Sequence, residues 1–495
     1  MSKKEVGKIC IFAVLVFIGL LLFFTAINPL VVYDVDDWLY ISQLRKPIPM
    51  IHAWNPIKVF PETAMPFISY LSAWVINPII DNYCKSLTIG HGIFTSVILT
   101  IYFVQFVILF YKRKFTSLDG SIKYGCFFVL LHFISNILKG NNNLFILNTL
   151  NLTCIYNYML PTILNAIAVM HFMSYGGVKN WFKKSNVLHK IVVVLWLYFA
   201  INSNLFSSVV LATYVGTELL LNLIPAIKEK RFNLKEYCAD NWCNLLIIFV
   251  WLCSNILETT GGRADSIHKN VLLNLPMSFV YFIVGMVTMN IFLNIMNCMV
   301  FVSWFKEHNK KLSSTAIRFI YYIGLLVAYL LLLCATSEPS YLALPHVDLA
   351  IFFYLIIAMI ACLNELIKSN ERFRKIPLIL LGTLALLLIF PGRLFAPYNY
   401  SLISYNQCEA LMNDVIDQFK AAEAAGQSEV VLEIPEYDEG GNWPLSTDLI
   451  GERYSNAFYK HKITKSYITV KDIVVTEEKT KEFDIPKVRN LLKFK

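Results

Sequence analysis

Apolar positions fall in long unbroken runs that short polar segments divide. The first run covers residues 9–32, 24 residues in all. Later runs lie near 88–111, 124–138, 158–176, 190–203, 204–226, 241–257, 273–303, 317–336, 346–367 and 376–391. A helix of about 20 apolar residues crosses roughly 30 Å of hydrocarbon, so the pattern predicts about eleven transmembrane helices. The first run is too long for a signal-peptide core and no small-residue cleavage site follows it, which makes it an uncleaved first span. From about Ser401 the pattern changes. Residues 404–425 have the period of an amphipathic helix, 428–434 alternate like a strand, 447–459 read as a helix and 463–475 as a β-branched strand. The expected fold is an α-helical polytopic membrane protein over 1–391, followed by a small extracytoplasmic α/β domain over 392–495.

Composition agrees with that class. Hydrophobic residues make up 57% and charged residues 16%, with a mean hydropathy of +0.56; soluble chains carry about 25% charged residues. A secreted enzyme, a nucleic-acid binder and a disordered scaffold are excluded. The net charge of +9 changes the picture only through its distribution. Basic clusters sit at Lys112-Arg113-Lys114 and within 179–190, 228–235, 306–311 and 368–375. In or beside these clusters and the N-terminus there are 23 Lys and Arg, against seven in the other connections before residue 392. Short basic loops stay cytoplasmic. That rule puts the N-terminus inside and the segments 33–87, 139–157, 258–272, 337–345 and 392–495 outside. Residues 64–80 are apolar enough to span, but counting them would move the Lys112 cluster outside. They are therefore expected to lie as a helix on the outer surface, bounded by Pro61, Pro66 and Pro78. The eleven cysteines lie mostly in apolar runs, with no CxxC pair or Cys/His cluster. Neither a disulfide framework nor a zinc site is supported.

The densest polar constellation follows the first span: Val32-Tyr33-Asp34-Val35-Asp36-Asp37-Trp38-Leu39-Tyr40. A carboxylate at a membrane face can act as general base toward a hydroxyl or bind a divalent cation; acids in an outer loop can also simply be solvated. The same loop (33–87) carries Arg45, His52, Trp54, Asn55 and Glu62. Arginine suits phosphate oxygens. Trp and Tyr stack on sugar faces and equally populate interfacial belts.

These residues resemble the GT-C superfamily of integral-membrane glycosyltransferases. In that superfamily a first span leads into a long outer loop that opens with an acidic pair, here Asp36-Asp37, and surface helices follow, here VFPETAMPFISYL. The motif YDxDDWxY, then Arg45-Lys46-Pro47, then WNP, is similar to a bacterial subgroup that decorates cell-surface glycans. The resemblance implies a sugar donor carried on polyprenyl phosphate and a glycan or lipid-linked acceptor, with a site on the outer face of the bacterial cytoplasmic membrane. Asp36 or Asp37 would be the base, with Asp36 preferred. Asp37 would orient the acceptor or help hold Mg or Mn, and the outcome would be inversion. Asp34, Trp38, Tyr40, Arg45, His52, Trp54, Asn55, Glu62 and His346 would bind substrate. A leaving phosphate needs positive charge, for which Arg263 after Thr259-Thr260-Gly261-Gly262, with Lys269, and Arg393 at the last span end are candidates; both arginines could equally cap or snorkel at span ends.

Other polar residues have plainer readings. Glu218 inside an apolar run is either functional or a structural pair. His91, His132 and His171 read as helix-contact residues. His346 and Asp348 could line an outer cavity. Besides the glycosyltransferase, a transporter or flippase of lipid-linked glycans, a polymerase and a non-catalytic envelope component are open. Membrane lipids are expected partners and nucleic acid is not. Nothing in the pattern sets an oligomeric state.

Overall fold

The computed structural model describes residues 2–32, 35–133, 147, 152–230, 232–262, 270–289, 291–309, 311–370, 373, 379, 382, 404–436 and 449–484. Thirteen helices are labelled up to residue 369: α1 (Lys3–Leu22), α2 (Val35–Tyr40), α3 (Val59–Leu71), α4 (Tyr83–Lys112), α5 (Leu118–Leu131), α6 (Leu160–Tyr175), α7 (Val187–Ile201), α8 (Leu205–Lys228), α9 (Leu234–Glu258), α10 (Val271–Met289), α11 (Ile291–Glu307), α12 (Ser314–Thr336) and α13 (Pro345–Ser369). The C-terminal segment adds α14 (Tyr405–Ala424), β1 (Glu429–Ile434), α15 (Ile450–Lys460) and β2 (Thr469–Val475). The chain is a helical membrane protein. Among the described residues eight helices are long and apolar enough to cross a membrane.

Eight is fewer than the eleven expected, for identifiable reasons. The run at 124–138 forms α5, 14 residues long, and the run at 190–203 forms α7, 15 residues long. At about 1.5 Å per residue neither reaches 30 Å. The run at 376–391 lies outside the described residues. Residues 64–80, in contrast, belong to a continuous 22-residue helical segment, Val59–Ile80, whose length and composition would allow a crossing. The run at 273–303 is described as two helices, α10 and α11, on either side of residue 290, which lies outside the described residues. Asn294 of α11 donates to the Met286 carbonyl of α10. Asn274 of α10 donates to the Ala335 carbonyl at 3.2 Å. Gly285, further along, packs on Leu342 and Asp348. Both contacts hold α10 against the 335–348 end of the bundle.

Helix ends sort onto two faces. On one face Lys8 pairs with Asp119 at 2.5 Å, Lys179 with Asp240 at 2.7 Å and Trp304 with Glu365 at 2.6 Å, which gathers the basic connections. On the other face lie the 35–58 loop, the start of α4, residues 152–158, the end of α9 and the start of α13. The segments Leu152–Tyr175 and His346–Ser369 are the most buried candidates and form the centre. Two glycines in α4 permit close packing on opposite sides. A Cβ at Gly90 would strike Ser72 Oγ, and one at Gly92 would come within 2.6 Å of Thr25.

In the C-terminal segment, α14, Ser404-capped, and α15 pack on a two-stranded parallel sheet of β1 and β2. The alternating burial of β1 turns Val430, Leu432 and Ile434 inward.

Candidate functional site

Helix α2 begins three residues after Val32. Asp36 and Asp37 occupy its first turn, where the exposed N–H groups and the helix dipole favour negative charge. One residue of offset is about 100° of helical rotation, and it separates the two acids completely. Asp37 is fully buried. Its Oδ1 accepts from the Thr153 backbone N–H and from Thr153 Oγ1, both at 2.6 Å, and its Oδ2 from the Leu152 N–H at 3.2 Å. It thereby caps the short helix Leu152–Cys154. Asp36 remains 57% exposed and pairs with Arg453 Nη1 at 3.2 Å. Among the described residues, Asp37 is held by Leu152 and Thr153 and Asp36 by Arg453. Among the described residues no three His, Cys, Asp or Glu converge as a metal-ligand set.

Trp38 turns the other way and is buried. Its ring meets Tyr454 edge-on at 4.8 Å and Phe458 at 5.8 Å, both on α15. Nearby, buried His461 donates from Nε2 to the Ile41 carbonyl at 3.1 Å and accepts at Nδ1 from the Tyr83 hydroxyl at 2.5 Å. Burial holds its pKa down to about 4, with a smaller push from Lys460. Lys460 donates to the Ser42 carbonyl at 3.3 Å, and Asn82 donates to Glu409 at 2.7 Å. The C-terminal segment is thus docked on α2, on the loop after it and on the start of α4.

Beside α2 the loop encloses a cavity of about 380 Å³, lined in part by Leu39, Tyr40, Arg45, Trp54, Asn55 and Glu62. Its polar wall is prearranged. Arg45 Nη1 binds Glu62 at 2.8 Å and the Asn55 carbonyl at 2.7 Å, while Nη2 takes the Ile48 and Pro56 carbonyls at 3.2 Å. Asn55 Nδ2 donates to Glu62 at 2.6 Å and to Tyr40 at 3.2 Å. Asn55 Oδ1 is buried with no partner among the described residues. Asp36 is not part of the lining; it stands four residues before Tyr40 on α2, about one turn away.

The rim comes from the end of α9. Glu258 accepts from the Ile57 N–H at 3.2 Å, and the Gly262 N–H donates to the Ala53 carbonyl at 3.1 Å. Gly262 lies flat on Trp54, where a Cβ would be 2.4 Å from the ring. His52 is exposed, in a left-handed conformation with φ of 58°, and its N–H meets Thr260 Oγ1 at 3.4 Å. Three π-helical turns, Phe23–Ile27, Ser72–Ile76 and Ile155–Met159, occur at this face, a distortion frequent near functional sites. His346 stands apart from the cavity, its ring 4.4 Å from that of Tyr158. Asp348 is fully buried, and neither of its oxygens has a partner among the described residues.

Asp34, Arg263, Lys269 and Arg393 lie outside the described residues. Of the remaining candidates, the structure gathers Tyr40, Arg45, Trp54, Asn55 and Glu62 around the cavity, with Asp36 one helical turn before Tyr40. It sets Asp37 and Trp38 in the packing behind them. Glu218 is paired with Arg318 and with Tyr322 at 2.8 Å. Sequence reasoning missed Arg453, Thr153 and His461. Only the apolar face of α15 signals that this helix docks on something, and nothing local identifies the surface it meets. No family model, curated protein or solved structure matches the chain.

Proposed function

We propose that the chain is a membrane glycosyltransferase. It moves a sugar from a polyprenyl-phosphate donor to a hydroxyl of a glycan or lipid-linked acceptor at the membrane surface. Asp36 takes the acceptor proton, the acceptor oxygen bonds to the anomeric carbon, and the bond from that carbon to the phosphate oxygen breaks, which releases polyprenyl phosphate. The observation that carries this reading is an exposed carboxylate, Asp36, one helical turn before Tyr40, which lines a cavity together with Asn55, Glu62 and Trp54. The aromatic face suits a sugar ring and the unpartnered Asn55 oxygen suits a sugar hydroxyl. The segment Val59–Ile80 supports a site at the surface. Its first turn is tied to the loop through Glu62, and its middle through Tyr70, which donates to the Ser42 carbonyl at 3.0 Å.

The test uses purified protein with a panel of polyprenyl-phosphate sugars and measures released polyprenyl phosphate. Asp36→Asn is expected to lower release by about 10²–10⁴-fold, the usual worth of a general base, with the fold intact. Undiminished release by this variant would sink the assignment. A transporter of lipid-linked glycans is the second reading, favoured by the buried Asp348, which has no partner among the described residues. An ionisable group inside a membrane helix commonly marks a transport path, and glycan flux into liposomes that Asp348→Asn abolishes would select it.

A further inference from the structure

The proposed reaction leaves a phosphate that needs a positive partner within reach of the reacting centre. Arg453 offers one. It sits on α15, which the Trp38–Tyr454–Phe458 ring contacts lock against α2. Its Nη1 is doubly held, by the Val35 carbonyl at 2.6 Å and by Asp36 at 3.2 Å. Among the described residues Nη2 and Nε have no partner, so one edge of the guanidinium fork is unused. The side chain is only 15% exposed, and in such a setting water screens an added anion less than at an open surface. Two further cations follow, Lys460 at the end of α15 and Lys462 in the turn after it. Lys460 reaches the Ser42 carbonyl, and Lys462 lies 5.2 Å over the ring of Trp74, itself half exposed. Neither has a carboxylate partner among the described residues. Nearly half of Trp74 is open to the surroundings, as suits an aromatic at a membrane interface.

We propose that Arg453 is the ligand of the lipid phosphate, supplied to the site by the C-terminal segment. This rests on the glycosyltransferase reading. The phosphate takes the unused fork edge through paired charge-assisted hydrogen bonds, and its isoprenyl chain leaves toward the Trp74 side. The shared pairing with Asp36 gives a second consequence. The carboxylate competes with the phosphate for the same cation, so a protonated Asp36, as after proton abstraction, holds the leaving phosphate more tightly than the charged form does.

The experiment measures binding of farnesyl phosphate to the purified full chain in detergent, with inorganic phosphate and phosphatidylglycerol micelles as separate probes. Arg453→Ala is expected to weaken farnesyl phosphate binding tenfold or more, and Arg453→Lys to retain part of it. Asp36→Asn is expected to tighten binding, and the Asp36→Asn/Arg453→Ala double variant to lose that gain. Protease protection of the C-terminal segment identifies any variant that has merely undocked, and Arg453→Lys, which keeps the charge, then carries the test. Equal affinity of wild type and docked Arg453 variants overturns the inference. So does Arg453-dependent binding of phosphatidylglycerol at the same strength, which would mark a general headgroup site, or of inorganic phosphate alone, which would mark a free-anion site. The two ideas fail separately. Arg453-dependent binding without sugar transfer from any donor leaves the phosphate site and removes the transferase. Asp36-dependent transfer with Arg453-independent binding does the reverse.

Discussion

At the basic face of the bundle the ion pairs are open to water: Lys8 and Asp119 keep 39% and 64% of their side chains exposed. At the opposite face Arg45 and Glu62 keep 7% and 13%, and Asp37 keeps none. Exposed pairs are screened and contribute little, whereas breaking a buried one leaves an uncompensated charge or dipole. The ion pairs of the basic face therefore add little to stability. The other face fixes a few side chains in one geometry, which is what a chemical site requires. Within that face the same contrast recurs between neighbours. Asp37 is held by three hydrogen bonds, and Asp36, beside it, is left accessible.

Mutation can break this comparison at several points. The largest stability effect is expected from Trp38→Ala, because emptying an aromatic site costs about 3–5 kcal/mol. Limited proteolysis should then release the C-terminal segment while the helical signal persists; unchanged protection would mean that α15 is held elsewhere. Next is pH. His461 is neutral when docked, with its pKa held near 4, against an ordinary value near 6.5. An undocked chain thus binds more protons between those values, and stability falls as pH drops from about 6.5 toward 4, by about 3 kcal/mol in all. The Tyr83 hydroxyl and the Ile41 carbonyl face the ring directly and Lys460 lies close by, so His461→Gln should flatten this part of the pH profile. Asp37→Asn should cost about 2–3 kcal/mol, since an amide replaces a charged acceptor of backbone N–H groups, and the loss should appear as a lower melting temperature. Smallest of all, Asp119→Ala at the basic face should leave the melting temperature within error. A clear drop there would remove the contrast between the faces.

Much of the bundle was legible because long apolar runs admit few alternatives, and the four C-terminal elements read from periodicity lie close to α14, β1, α15 and β2. The misreadings have physical sources. The run of 31 residues from 273 to 303 is described as two helices, α10 and α11, and it carries Gly285 directly before Met286, whose carbonyl Asn294 meets. The candidate loop was found because Asp36, Arg45, Asn55 and Glu62 are close in sequence. What each does was hidden, since a shift of one helical position decides which acid is buried, and Arg45 is tied to carbonyls that carry no sequence signature. Arg453 was beyond reach, because local pattern says nothing about a partner 417 residues away.

That separation also acts as a clock. Ribosomes add about 5–20 residues per second, so Asp36 emerges on the order of 20–80 s before the Arg453 that meets it. Through that interval the loop has its buried Arg45–Glu62 wall but not its lid of aromatic rings. The Asp36–Arg453 pair forms only once α15 has been made, so a ribosome that stops before it leaves a chain that has the carboxylate and lacks the guanidinium.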